Sequence, residues 1–92
     1  MAVTGMREVW KAAHEGKGLT LLVEKDLVKP GFVKAEDIFN LHLTPPVDKH
    51  EILSDAVEAI IETVIDKNGQ VMIVENGKLT DFDQVALIQR YP

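Results

Sequence analysis

The chain has 92 residues, of which 46% are hydrophobic and 27% are charged. This length supports one domain with a single modest core, so residues 1–92 are interpreted as one module, and the composition is globular rather than disordered. Because cysteine is absent, the sequence excludes disulfide scaffolds, thiolate zinc sites and thiol catalysis, and it favours a cytoplasmic location. The apolar runs are too short to cross a bilayer, and we expect no membrane partner.

The formal net charge is −5, and the charge is distributed unevenly along the chain. Residues 1–34 contain six bases and four acids, whereas residues 35–92 contain four bases and eleven acids. A protein that binds nucleic acid without sequence preference normally carries a basic excess. The charge therefore argues against that class, while a local basic face near the N-terminus remains open.

The first predicted element is a helix over residues 5–15, with Thr4 as its cap. Gly16 and Gly18 follow it, and glycine readily adopts the left-handed conformation that closes many helices. The residues at helical spacing form an apolar stripe of Met6, Val9, Trp10 and Ala13, beside a polar face of Arg7, Lys11 and His14.

Two strands are predicted before the middle of the chain. Residues 19–24 form a short apolar run, which is typical of a buried strand. Residues 25–37 are predicted to be mostly connection, because Pro30-Gly31 is a turn signal. In residues 38–43, apolar and polar side chains alternate, which indicates a half-buried strand that stops at Pro45-Pro46.

A second helix is predicted from Asp48 to Lys67. Asp48 is interpreted as its cap, with Glu51 as the return half of a capping box, and Asn68-Gly69 as its end. The apolar stripe of this helix is wide, which is typical of a helix that lies against a sheet. Its narrow polar face is an acidic stripe, made of Glu51, Asp55, Glu58, Glu62 and Asp66.

The last third of the chain predicts two further strands, at residues 71–74 and 85–90. Between them, Asn76-Gly77 is typical of a two-residue hairpin, and residues 81–84 alternatively predict a short helical turn. We therefore expect a single-domain α/β helix–sheet sandwich, with a mixed four-stranded sheet and two main helices. The residues expected to be buried together are Trp10, Leu21, Ile60, Ile73 and Leu87.

The catalytic inventory of the sequence is thin, and we predict no enzyme activity, no cofactor and no metal site. Gly16-Lys17-Gly18 lacks the remainder of a phosphate-binding loop, and the only serine, Ser54, lacks the glycine-flanked context of a hydrolase nucleophile. The three histidines lack the short paired spacing of metal ligands and are expected on three different elements, with His42 the one most expected to be partly buried.

Two surfaces remain as candidate binding sites. Arg7 and Lys11 lie one turn apart on a helix face, a spacing that suits contact with phosphates, although such pairs are commonly the solvated side of an amphipathic helix. The acidic stripe is interpreted first as a solvated face, and alternatively as a docking edge for a basic protein.

Three stretches of the sequence stand out together, namely residues 5–23, residues 85–91, and the acidic–apolar helix and apolar strand between them. They resemble the third domain of archaeal and eukaryotic class 1 release factors and of Pelota. In that family, a Glu-Val-x-x-Ala helix leads to Gly-Arg/Ala-Val-x-Thr-Leu-Leu, and residues 5–23 follow this pattern. The closing residues 85–91 resemble the family's Gly-Gly-Ile-Ala-Ala-Ile-Leu-Arg-Tyr strand, with Asp83-Gln84 in place of the two glycines. Between them lies a long acidic–apolar helix, then Asn-Gly and an apolar strand. The residues in register at the start are Glu8, Val9, Ala12, Gly16, Thr20, Leu21 and Leu22.

The resemblance is closest to the bacterial release-factor-like proteins, and it implies the α/β sandwich shared with the kink-turn-binding ribosomal proteins. Those RNA binders carry Gly-x-Asn-Glu-x-x-Lys at the head of the first helix. Gly5, Glu8 and Lys11 match that motif, whereas Arg7 stands in place of the asparagine and offers different hydrogen bonds. The hydrolytic Gly-Gly-Gln loop of release factors belongs to another of their domains and is not in this sequence.

The sequence thus leads to one favoured function and one alternative. The favoured function is a non-catalytic interaction module that acts near translation termination or ribosome rescue by binding protein, with Glu51, Asp55, Glu58 and Glu62 as docking candidates. The alternative is specific binding of kink-turn-like RNA through Gly5, Arg7, Glu8 and Lys11. RNA binding is expected to be weak or absent, and the sequence leaves the oligomeric state open.

Overall fold

The computed structural model describes residues 2–90 and contains seven strands, two α-helices and one 3-10 turn. In chain order, the elements are β1 (Ala2–Thr4), α1 (Met6–His14), β2 (Gly18–Glu24), β3 (Gly31–Lys34), β4 (Asp37–His42), β5 (His50–Leu53), α2 (Ala56–Asp66), β6 (Gln70–Val74), the 3-10 turn (Thr80–Phe82) and β7 (Val85–Gln89). Tyr91, the last residue of the closing motif, lies outside the described residues.

The strands form two sheets. Sheet A has four strands in the order β1-β7-β2-β6, in which β2 and β6 are parallel and the other neighbours are antiparallel. Sheet B has three antiparallel strands in the order β4-β3-β5. The predicted α/β class and mixed four-stranded sheet are confirmed, whereas the sequence did not predict β1, β3, β5 or the second sheet.

The core lies among one face of sheet A, the two helices, which also contact each other, and the inner face of sheet B, which contributes Val33 and Leu41. Four of the five residues predicted to share the core are buried in it, namely Trp10, Leu21, Ile60 and Leu87. The prediction for Ile73 is wrong, because 54% of this residue is exposed. Ile73 lies on β6, an edge strand of sheet A, so no further strand shields it.

The second helix begins later than predicted. Its cap is Asp55, whose carboxylate accepts a hydrogen bond from the N–H of Val57 at 3.0 Å. Residues 50–53 form β5 and pair with β3, because strand pairing over a long sequence distance overrides the local helical pattern. Asp48 does not cap the helix, since its carboxylate pairs with the Lys34 ammonium at 2.9 Å. Glu51 consequently lies on a strand.

The predicted hairpin at Asn76-Gly77 is also wrong, because β6 and β7 lie on opposite sides of β2. The alternative, a short helical turn at residues 81–84, is confirmed, although the turn is a 3-10 turn and covers Thr80–Phe82. At the first helix, Gly5 rather than Thr4 is the cap, and Gly18 already belongs to β2. None of the helices within residues 2–90 is long and apolar enough to cross a membrane.

Candidate functional site

The head of α1 is fixed to sheet A by its backbone. The N–H of Gly5 donates to the carbonyl of Val85 at 3.1 Å, which ties the start of the helix to the start of β7. Gly5 has φ 85° and ψ 152°, a conformation that is essentially restricted to glycine. Among residues 2–90, no side chain caps the first turn of this helix. In this chain, the backbone conformation at Gly5 therefore explains why the family motif has a glycine at this position.

The candidate RNA-binding residues are only partly brought together. Arg7 and Glu8 line an open groove of about 300 Å³ at the head of α1, together with Leu43 and Asp83. Lys11 lies one turn further along the helix, outside this groove. Arg7, Glu8 and Lys11 are exposed, and neither base forms an ion pair within the described part of the chain.

Asp83, which in the sequence is only a departure from the family's glycine, faces the head of α1. The Asp83 Oδ2 atom lies 3.3 Å from the position that a Cβ atom on Gly5 would occupy. The positive end of a helix dipole attracts anions, and a carboxylate placed there competes with an incoming phosphate. The groove therefore carries an internal negative charge beside Arg7.

The backbone conformation at Asp83 and Gln84 explains why the family motif has two glycines at these positions. Both residues have positive φ, 56° for Asp83 and 71° for Gln84, which is the left-handed region that glycine adopts without strain. This chain accepts the conformation with other residues, and aspartate is one of those that tolerate it. The substitution places a carboxylate and an amide where the family pattern has no side chain.

The loop that carries Asp83 is held in place by Glu24, a buried carboxylate at the end of β2. Its Oε2 atom accepts a hydrogen bond from the N–H of Leu79 at 2.9 Å, and the Gln84 amide lies 3.5 Å from Oε1. The N–H of Gly77, together with these donors, lowers the pKa of the Glu24 carboxyl below its ordinary value against the opposing effect of burial. Glu24 thus positions a loop that lies more than fifty residues later in the sequence.

Replacing Glu24 with glutamine should lower stability near neutral pH and flatten its pH dependence. A carboxyl whose pKa is lowered by folding stabilises the protein above its unfolded pKa, and this contribution is lost as the pH falls through the folded pKa. Wild type and Glu24→Gln should therefore differ in melting temperature at about pH 7 and converge toward about pH 3. Glu75→Gln, an exposed acid of the same loop, is the control and should follow wild type. A constant difference at every pH would contradict the role of the Glu24 charge.

Replacing Gly5 with alanine should lower the free energy of unfolding by about 1–3 kcal/mol. Alanine is strained at this backbone conformation, and its Cβ atom would press on the Asp83 carboxylate. The measurement is urea denaturation. Arg7→Ala, at an exposed position two residues on, should change stability by no more than about 0.5 kcal/mol. Equal stability of Gly5→Ala and wild type would show that the head of α1 relaxes easily.

The acidic docking candidates divide between two elements. Glu58 and Glu62 lie one turn apart on α2, are exposed and line a shallow groove of about 250 Å³ between α2 and β5. Asp55 is half-buried at the start of the helix, where it is the cap. Glu51 is exposed on β5, so it is not part of the helical stripe, which corrects the prediction. The continuous acidic face of α2 therefore consists of Glu58, Glu62 and Asp66.

The histidines lie on three different elements, α1, β4 and β5. His14 stacks on Trp10 with ring centroids 4.2 Å apart, and burial lowers the pKa of its imidazole. His42 is half-buried, but so are His14 and His50, so burial does not set His42 apart as the sequence predicted. His50 packs edge-on against Phe32. No group of three or more potential metal-binding side chains occurs among residues 2–90.

The fold is similar to that of a solved release factor domain. The structure resembles the C-terminal domain of peptide chain release factor from Methanosarcina mazei, with a TM-score of 0.67 and 18% sequence identity. The match covers 98% of this chain and 69% of that chain. The sequence itself matches no protein-family profile and no curated protein sequence. At this identity the similarity shows the fold, which is the one that the motifs of residues 5–23 and 85–91 imply.

Proposed function

We propose that this chain is a non-catalytic interaction module that acts in translation termination or ribosome rescue by binding a protein partner. The observation that carries the proposal is the similarity to a release factor C-terminal domain over nearly the whole chain. The left-handed backbone at Asp83 and Gln84, where the family pattern has glycines, supports the same relationship from local geometry.

The docking surface proposed for this partner is the acidic face of α2. Glu58 and Glu62 are exposed on neighbouring turns, and no ion pair occupies either carboxylate within residues 2–90. Exposed charges of one sign steer a partner of opposite charge and select it over others. The proposed partner is therefore a protein with a basic surface.

Co-sedimentation tests this function. The purified chain is mixed with ribosomes halted at a stop codon, or halted on a message without one, and separated on a sucrose gradient. We expect the chain to sediment with halted ribosomes or with their associated factors, and Glu58→Lys combined with Glu62→Lys to reduce this. Glu75→Lys combined with Asp81→Lys changes the charge equally at exposed positions of another loop and should leave association intact. Absence of association, or equal loss in both double variants, would contradict the proposal.

The RNA alternative is favoured by one observation, the pair of exposed bases on α1, with Arg7 in its first turn and Lys11 in its last turn. Asp83 and the net charge of −5 oppose it. We expect weak or no binding of a labelled kink-turn RNA near physiological salt, because two charge contacts release few counterions. Titration at two salt concentrations measures this, with Arg7→Glu combined with Lys11→Glu as the test variant. Sub-micromolar affinity that this variant loses would favour RNA over protein.

A further inference from the structure

The edge strand β6 lacks the features by which sheet edges are usually protected. Its five residues include no charged side chain and no proline, and 55% of Met72 and 54% of Ile73 are exposed. Edge strands are usually kept short, charged, bulged or covered, because their free backbone groups pair readily with another chain. The opposite edge of sheet A, β1, has only three residues, and the edges of sheet B carry acids. Within residues 2–90, β6 is the long uncharged edge.

The backbone of β6 presents free hydrogen-bonding groups to the outside. The carbonyl of Val74 accepts the N–H of Lys25 at 2.8 Å, so it points toward β2. In a strand paired in parallel, alternate residues direct both backbone groups to the same side. Val71 and Ile73 therefore direct their N–H and carbonyl groups away from β2, where a further strand would lie.

An apolar groove rimmed by acids adjoins this edge. The groove has a volume of about 350 Å³, and its apolar lining includes Val57, Ile61 and Ile73. The same groove is lined by Asp26, Asp55 and Glu58, and by one base, Lys25. An apolar floor between carboxylates matches a segment with alternating apolar residues and basic flanks.

We infer that β6 accepts an extended segment of a basic partner protein, which pairs with the outward backbone of Val71 and Ile73 and places apolar side chains over Ile61 and Ile73. This inference rests on the proposed function, since it names the way in which the protein partner binds. The main chain supplies affinity, and the groove selects the alternate side chains.

A second copy of this chain fits the edge less well. Antiparallel pairing of β6 with its own copy would bring the two α2 helices to the same side of the joined sheet. Glu58 and Asp66 of one copy would then lie near the acids on α2 of the other copy. Two chains with a net charge of −5 also repel each other.

A labelled peptide tests the inference on the full chain. The probe is fluorescein-Lys-Lys-Val-Thr-Val-Thr-Val-Lys-Lys, which carries alternate valines and basic flanks, and binding is followed by fluorescence anisotropy. We expect saturable binding that Ile73→Lys weakens by about tenfold or more, because a lysine at this edge repels the probe and removes an apolar contact. Met72→Gln is the matched control, since Met72 lies on the opposite face of the strand, and it should bind as wild type does.

Amide hydrogen exchange on the unmodified chain gives a second readout. Bound probe should slow exchange at the Val71 and Ile73 amides and leave the Met72 amide, which already faces β2, unchanged. The inference is overturned by absence of binding, by equal loss in both variants, by unchanged exchange, or by equal binding of a probe with glutamates for the lysines. A dimer that Ile73→Lys dissociates in analytical ultracentrifugation would instead make the second copy the occupant.

These outcomes separate the inference from the proposed function. If the probe fails to bind while the chain still sediments with halted ribosomes, strand addition is wrong and the proposed function stands. If the probe binds as expected while ribosome association is absent, β6 accepts a basic segment and the translational role is wrong.

Discussion

Replacing Ile60 with alanine should lower the free energy of unfolding by about 2–5 kcal/mol. Ile60 is completely buried, with 0% of its surface exposed, and lies on the face of α2 that packs into the core. The substitution removes apolar contacts and leaves a cavity between α2 and sheet A that the close-packed neighbours fill only in part. For a small domain, this is a large fraction of the total stability.

The same helix offers a matched control. Ile65 belongs to α2 but is 56% exposed, so Ile65→Ala should change stability by no more than about 0.5 kcal/mol. Urea denaturation of both variants compares one chemical change at two levels of burial. A loss at Ile60 no larger than the loss at Ile65 would mean that α2 presents a different face to the core.

The elements that the sequence predicted correctly are those with strong local patterns. The first helix has a clean apolar stripe ending in Trp10 and Ala13, and β2 is a short, mainly apolar run between glycine and charge. The helix prediction was wrong for residues 50–53, because Ile52 and Leu53 continue the apolar spacing of the following helix. Their strand instead pairs with β3, about twenty residues earlier. Local periodicity does not record such pairing.

The candidate site was predicted in the same uneven way. Gly5, Arg7, Glu8 and Lys11 follow one another on one helix, so a motif of local spacing identified them. The acid that faces this helix head, Asp83, comes from a loop that is distant in sequence. Its departure from the family's glycine was a visible signal, but only the folded chain shows where its carboxylate lies. Chemistry assembled from distant segments is what sequence spacing cannot locate.

Trp10 joins the two sheets through α1. It is buried, and its ring N–H donates to the carbonyl of Ile38 on β4 at 2.9 Å. Its ring also stacks on His14. A buried indole that finds a hydrogen-bond acceptor contributes both apolar area and a directional contact. The indole of Trp10 therefore ties β4 of sheet B to α1 by a directional hydrogen bond.

Replacing Trp10 with alanine should cost about 3–5 kcal/mol, which brings a domain of this size close to unfolding. Trp10→Phe separates the two contributions, because it retains an aromatic ring but removes the partly buried hydrogen bond to the Ile38 carbonyl, at a cost of about 0.5–1.5 kcal/mol. Denaturation by urea measures the total loss in the free energy of unfolding for each variant. Phe39→Leu is the control and should retain the stability of wild type, because Phe39 is exposed on β4 next to Ile38.

Hydrogen exchange then tests where the stability is lost in Trp10→Phe. If the indole holds sheet B against α1, the amides of β3 and β4 should lose more protection than those of β2 and β7, because local opening requires less free energy than global unfolding. An equal loss of protection in both sheets would instead make Trp10 an ordinary core residue. That result would also predict that sheet B is retained by Val33 and Leu41, whose buried hydrophobic side chains lie on its inner face.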